Sequence, residues 1–211
     1  MAVGTAGLVG AACANGHTSG EAGATHVAPP VPTFAQTVVL KPVSGKVLIH
    51  VPGGPSGFTA LRTARAVRVG TVVDTDAGRV ALTSATPAPT YFQTGQFFLG
   101  TFQVQQTRAG GALVSLVLRD NLTGSACGAP AAHPTALSKR ILGLLRGSAK
   151  GRFRTTGRFS AATVRGTDWG VRDRCDGTLT VVRTGVVVVR DFRLQTSVTV
   201  RAGQTYLAKA P

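Results

Sequence analysis

The sequence predicts an all-β fold, and three observations carry that prediction. Short apolar alternations recur from residue 34 to 208, separated by Gly, Pro and Asp-Gly punctuation. The 27 glycines and 11 prolines argue against long helices and for many turns. The 211 residues, 43% of them apolar, supply enough material for one domain with a real core.

Residues 1–33 carry no apolar period and end on Ala28-Pro-Pro-Val-Pro32, the composition of a flexible leader or linker. Ala12-Cys-Ala14 has the look of a signal cleavage site, but the positively charged start of a signal is missing. Gly10 stands where a lipobox needs an aliphatic residue, so lipidation at Cys13 is not expected. The leader is therefore read as a fragment of a longer surface protein. A single domain is expected over 34–208, with a tail at 209–211.

Within the domain, strands are expected at 37–41 and 45–51 around a turn at Pro42 to Gly45. A long turn at 52–57 precedes a short strand at 58–61. Residues 67–73 and 79–83 read as a hairpin with Asp76-Ala-Gly78 at its tip. After a break at 86–89, residues 95–106 and 112–119 pair around Arg108-Ala-Gly-Gly111. Leu137, Ile141, Leu142, Leu144 and Leu145 predict one short amphipathic helix near 136–146, weakened by Gly143 and stopped by Gly147. Further strands follow at 152–156, 160–165, 169–175, 178–183, 185–191 and 197–201. The run Val186-Val-Val-Val189 is apolar on both faces and reads as a central strand. Strands this short must close against one another, as a twisted sandwich or as a solenoid-like stack of hairpins.

The last third carries a resemblance. Arg154-Thr-Thr, Ala161-Ala-Thr-Val-Arg-Gly-Thr-Asp-Trp-Gly-Val171, Asp176-Gly-Thr-Leu-Thr-Val-Val-Arg and Val198-Thr-Val-Arg-Ala-Gly-Gln204 run in an order similar to the FecR-like domain. Val69-Gly-Thr-Val-Val-Asp-Thr resembles that family's earlier hairpin. From Phe34 onward the chain also resembles secreted or surface proteins of high-GC actinobacteria that carry such a domain. The resemblance implies stacked hairpins with Gly166, Gly185 and Gly203 at corners, and structural roles for Val164, Arg165, Gly166, Thr167 and Trp169. FecR proteins relay a signal from an outer-membrane receptor through a membrane span and an anti-sigma segment, neither of which is recognised in this chain. No stretch of 18 apolar residues is present.

The net charge is +15, with 18 arginines against 5 lysines. Such a balance favours polyanionic surroundings, whether nucleic acid, anionic lipid or an anionic envelope polymer, and it also fits GC-rich codon usage. Lys139, Arg140, Arg146, Lys150, Arg152, Arg154 and Arg158 form the densest basic run, with no acid between Asp120 and Asp168. Arg152 and Arg154 would share one strand face, a row able to hold phosphates; the alternative is a charged edge strand that discourages pairing. Phe and Tyr are not interleaved as in an RNA-binding sheet.

Three cysteines suit one structural disulfide and one odd thiol in an exported chain. Cys127–Cys175 is the expected pair, with free buried thiols as the alternative. Zinc is disfavoured because no CxxC and no nearby His pair exists. Asp74 and Asp76 share a face at a hairpin tip and read first as turn residues. Trp169 is assigned to the core. Arg165 either donates to backbone carbonyls or pairs with Asp168. No nucleotide fingerprint, metal-ligand spacing or GxSxG motif is present, so no cofactor, metal or catalytic residue is assigned.

These readings converge on a non-catalytic, exported surface or sensor module at the envelope, binding a protein partner or an anionic envelope polymer. The alternatives are a structural module of a larger surface protein, and non-specific nucleic-acid binding through 139–158.

Overall fold

A computed structural model describes residues 28–119, 127 and 138–211. Most of the leader, Cys13 and the expected helix start at 136–137 lie outside the described residues. The fold is all-β, a single curled sheet of fifteen described strands. The first nine are β1 (Thr37–Gly45), β2 (Leu48–His50), β3 (Thr59–Ala60), β4 (Arg65–Arg68), β5 (Val72–Asp74), β6 (Gly78–Ala85), β7 (Phe92–Phe98), β8 (Thr101–Gln106) and β9 (Val114–Leu118). The last six are β10 (Ile141–Thr156), β11 (Ser160–Arg174), β12 (Gly177–Thr184), β13 (Val186–Asp191), β14 (Ser197–Arg201) and β15 (Thr205–Lys209).

The two long strands β10 and β11 form an antiparallel ribbon that organises everything else. Along its free edge, β10 pairs first with β7, antiparallel, and then with β9, parallel. Along its own far edge, β11 pairs with β13 over residues 160–164 and with β12 over 168–174. Both strands therefore exchange neighbours partway along. One half of the sheet runs β15-β12-β11-β10-β7-β6-β1-β4, the other β14-β13-β11-β10-β9-β8-β5-β2-β3. The ribbon belongs to both halves and bends between them, the corner device of sandwiches whose strands switch sheets.

The two halves close on one core. Phe97 of β7 lies against Phe102 of β8, Phe153 of β10 and Trp169 of β11, with ring centroids 5.8, 5.4 and 6.1 Å apart. All four rings are buried. Trp169 donates its indole N–H to Thr155 Oγ1 at 3.1 Å, which satisfies the one polar atom the ring brings inside. On the opposite side of the sandwich, β1/β2, β5/β6 and β7/β8 cross between halves at stapled corners. Thr75 Oγ1 donates to Gly100 O at 2.7 Å, and Lys46 N donates to Ala77 O at 2.9 Å.

Four expectations need correction. Residues 141–146 are strand, not helix: Leu142 and Leu145 face the core across a bulge, and pairing with β11 and β7 outweighs a leucine spacing that fits either structure. Val186–Val189 is central, paired on both edges with β11 and β14, but only one of its apolar faces is covered. Val187 and Val189 are buried, whereas Val186 and Val188 are 42% and 45% exposed. Residues 72–74 do not pair with 78–85; β5 joins β2 and β8, while β6 joins β1 and β7. Finally, Arg165 does not pair with Asp168, which instead faces Arg146 at 3.9 Å.

Cys127 and Cys175 form a disulfide-bonded pair with Cα atoms 5.4 Å apart. The hairpin around 108–111 is present between β8 and β9, but only 101–106 of the expected strand 95–106 enters it, since 95–98 belongs to β7 and pairs with β6 and β10. Gly166, Gly185 and Gly203 all adopt left-handed backbone at points where the chain passes between halves.

Candidate functional site: a basic seam at the ribbon's bend

The site begins with a backbone necessity. Where β10 leaves β7 for β9, its ladder slips between Ala149 and Arg152, and Gly151 takes a φ of +126°. The Arg152 N–H, displaced from regular pairing, donates to Gln93 Oε1 at 2.8 Å. The Gln93 amide in turn donates to Ala112 O, so one buried side chain bridges the gap between β7, β9 and β10.

The matching event on β11 occurs at Gly166, φ +76°. Before it, Ala162 and Val164 face the core; after it, Thr167, Trp169 and Val171 do. One extra residue has shifted the inward set by one position, which is what a bulge does to a period of two. Thr184 Oγ1 accepts the Asp168 N–H at 3.1 Å on the far side of the bend. The hydroxyl of Thr167 is buried and finds no hydrogen-bond partner among the described residues.

Three concavities meet at this bend, of about 680, 560 and 720 Å³, and Gly166 lines all of them. Lys150 lines the first and third, while Arg152 and Arg165 line the second and third. The ladder register places Arg152 directly opposite Arg165, and Arg154 opposite Thr163. Arg154 donates through Nε to Thr163 Oγ1 at 3.2 Å. The side chains of Lys150, Arg152 and Arg165 are exposed and make no hydrogen bond or ion pair among the described residues.

Two like charges directly across a ladder repel each other. Among the described residues, Asp173, Asp176 and Asp191 are engaged elsewhere. Asp173 is buried and accepts from the Arg158 N–H, Asp176 holds Arg174, and Asp191 accepts from Tyr206. Asp168 lines the first concavity, but on the side of Arg146. The seam thus presents guanidinium groups with no ion pair among the described residues beside a concave surface. Guanidinium forks of this kind hold phosphate or carboxylate bidentately.

Of the basic run expected from sequence, the structure brings together Lys150, Arg152 and Arg154. Arg146 is spent on Asp168 and on the face of Phe98, 5.1 Å from the ring centroid. Arg158 lies at the β10–β11 turn over Phe159. Lys139 and Arg140 precede β10, where Arg140 O accepts the Cys175 N–H at 3.2 Å. Arg165, expected in a structural role and outside the basic run, joins the seam only through register. The signal was available in principle, because a turn centred on Arg158 and Phe159 fixes which residue faces Arg152.

Asp74 Oδ1 accepts the Asp76 N–H at 2.9 Å, a turn role. His50, the one histidine among the described residues, meets Gly57 O through Nδ1 at 2.9 Å. No group of three His, Cys, Asp or Glu placed to hold a metal occurs among the described residues. No protein-family model, curated protein or solved structure matches this chain.

Proposed function

We propose that this protein is an exported, non-catalytic binding module that takes an anionic envelope polymer on the seam formed by Lys150, Arg152, Arg154 and Arg165. The observation that carries the reading is the Arg152–Arg165 cross-strand pair, two arginines directly opposite in the ladder and without an ion pair among the described residues, at a bend lined by concavities. A surface that merely needs solubility has no reason to oppose like charges across a ladder, where they cost stability. An arriving anion converts that repulsion into two charge-assisted contacts. The Cys127–Cys175 bond supports an oxidising compartment, and no helix among the described residues is long and apolar enough to cross a membrane. On motif order and glycine corners we read the C-terminal part as FecR-like.

The test is binding of poly(glycerol phosphate) across a salt series, with neutral dextran as control. Affinity should fall steeply as salt rises, because each phosphate contact releases counterions. Replacing Arg152, Arg154 and Arg165 by Gln should flatten the slope by about two to three counterions. No binding at low salt, or an unchanged slope in the variant, would overturn the proposal. Tighter binding to single-stranded DNA than to poly(glycerol phosphate) would move the reading to nucleic acid.

A further inference from the structure

The largest of the three concavities differs from its neighbours in having an aromatic wall. Its cationic side is Lys150, Arg152 and Arg165; its other side is Pro87, Ala88 and Tyr91. Tyr91 is 64% exposed, an aromatic ring left in water beside a row of cations. The loop that carries it is fixed in place. Thr86 N donates to Tyr91 O at 3.2 Å, Tyr91 N donates to Ala88 O at 3.2 Å, and Thr86 Oγ1 donates to Tyr91 O at 3.0 Å. The backbone under the ring is held in place, so little loop-ordering entropy is lost when something lies against it. The volume, about 720 Å³, falls in the range of small-ligand sites.

We infer that this groove holds one phosphorylated sugar unit of the polymer, its phosphate between Arg152 and Arg165 and its apolar ring face on Tyr91. The inference rests on the polyanion reading and names the repeat unit that the seam would select. A sugar ring has an apolar C–H face that packs on an aromatic ring and an equatorial rim of hydroxyls that stay in water, which suits an open groove. A nucleobase fits less well, because reading its edge requires free donors and acceptors. The one amide there, Gln93, has both ends engaged, with Arg152 N and Ala112 O, and the Thr86 hydroxyl is engaged with its own loop. A base would find a platform and cationic donors, but no free amide to pair with its edge.

The experiment is titration of the full chain, followed by NMR, with glucose 6-phosphate, glucose, glucuronate, inorganic phosphate and uridine monophosphate. Glucose 6-phosphate should bind at least tenfold more tightly than inorganic phosphate, and glucose alone should not saturate. Tyr91→Ala should bring glucose 6-phosphate down to the level of phosphate and leave phosphate itself unchanged. Arg165→Gln should weaken both. Because Tyr91 is exposed, its removal should leave the melting temperature in place.

Equal affinity for phosphate and glucose 6-phosphate, or no effect of Tyr91→Ala, would overturn the inference. So would tighter binding of uridine monophosphate than of glucose 6-phosphate. Glucuronate binding as tightly as glucose 6-phosphate would overturn the assignment of the anion to a phosphate. If poly(glycerol phosphate) binding keeps its salt slope while the sugar preference fails, the polyanion reading stands and the groove inference falls alone.

Discussion

The backbone N–H of Arg158 donates to both carboxylate oxygens of Asp173, at 3.1 and 3.0 Å. Arg158 occupies the turn that opens β11 and Asp173 its penultimate residue, and fourteen or so extended residues would hold these ends roughly 45 Å apart. They touch because the β10–β11 ribbon is folded double at Gly151 and Gly166. Asp173 is buried, also accepts from the Thr178 hydroxyl, and sits where any side chain on Gly157 would collide with it. Asp173→Ala should unfasten the tip and destabilise the protein by about 2–3 kcal/mol, the range for hydrogen bonds to a charged group. The Asp173→Asn variant should lose less than half of that. Urea denaturation with an unchanged m-value is the measurement, and a midpoint equal to wild type for Asp173→Ala would remove the fastening role.

The bend itself has a cost that only glycine avoids. Gly166→Ala meets no atom within 4 Å but forces an L side chain to a φ of +76°, which should cost about 1–2 kcal/mol. Gly151→Ala should cost more, since its Cβ would fall 2.6 Å from that of Gln93 in addition to the strain at +126°. Thermal melts of the two single variants should rank them in that order.

Arg152→Glu should separate stability from binding. Opposite Arg165 it replaces a repulsive cross-strand pair with an attractive one, a gain of about 0.5 kcal/mol. The same change should abolish poly(glycerol phosphate) binding. A variant that both melts earlier and binds less would mean that Arg152 supports the fold instead of the ligand.

Reduction should be costly. The Cys127–Cys175 bond closes a loop with a sequence separation of 48, for which chain entropy gives about 4 kcal/mol. Under reducing conditions the urea midpoint should fall accordingly, and Cys175→Ser should behave like the reduced protein.

Acid and alkali should act through Asp191 and Tyr206. Burial pushes the Asp191 carboxyl up, but the Leu194 N–H, the Tyr206 hydroxyl 2.9 Å away, and the Arg193 N–H and charge outweigh it, leaving a pKa below 3.8. Burial and the Asp191 bond both raise Tyr206 above 10.0. A lowered acid contributes stability that is complete above its unfolded value and lost as pH falls through the folded one. A raised phenol contributes stability that is complete below its unfolded value and lost as pH climbs through the folded one. Stability should therefore stay level between about 4 and 10 as far as this pair is concerned. Asp191→Asn should blunt the acid limb, which urea midpoints across pH would show.

Local signals were readable, and long-range ones were not. The 37–41, 79–83 and 160–165 alternations correspond to strands, and Gly166, Gly185 and Gly203 mark corners, because alternation and left-handed turns are written into neighbouring residues. Pairing is not local. Nothing near Val72 says that its partners are His50 and Gln103 and not β6. The strand β15 escapes a reading of the sequence because Tyr206-Leu-Ala208 shows no alternation of apolar and polar residues. For the same reason the exposure of Val188 was hidden: an all-valine run has no polar residue to mark its wet face. The basic seam was half legible, since Arg152 and Arg154 declare a shared face but Arg165 arrives only when the hairpin register is fixed.

The parallel ladder between β9 and β10 sets the order in which this molecule can assemble. Hairpins such as β8–β9 and β10–β11 can zip as soon as their turns form, but Val114 can meet Phe153 only after both are in place. That late, non-local step joins the N-terminal strands to the C-terminal ones through the ribbon that both halves need. Folding should therefore run at the slow end for its size, milliseconds to seconds. A ribosome would have to release residues beyond 156 before β9 gains its second neighbour, and a protein cut between β9 and β10 should yield no fragment able to fold alone.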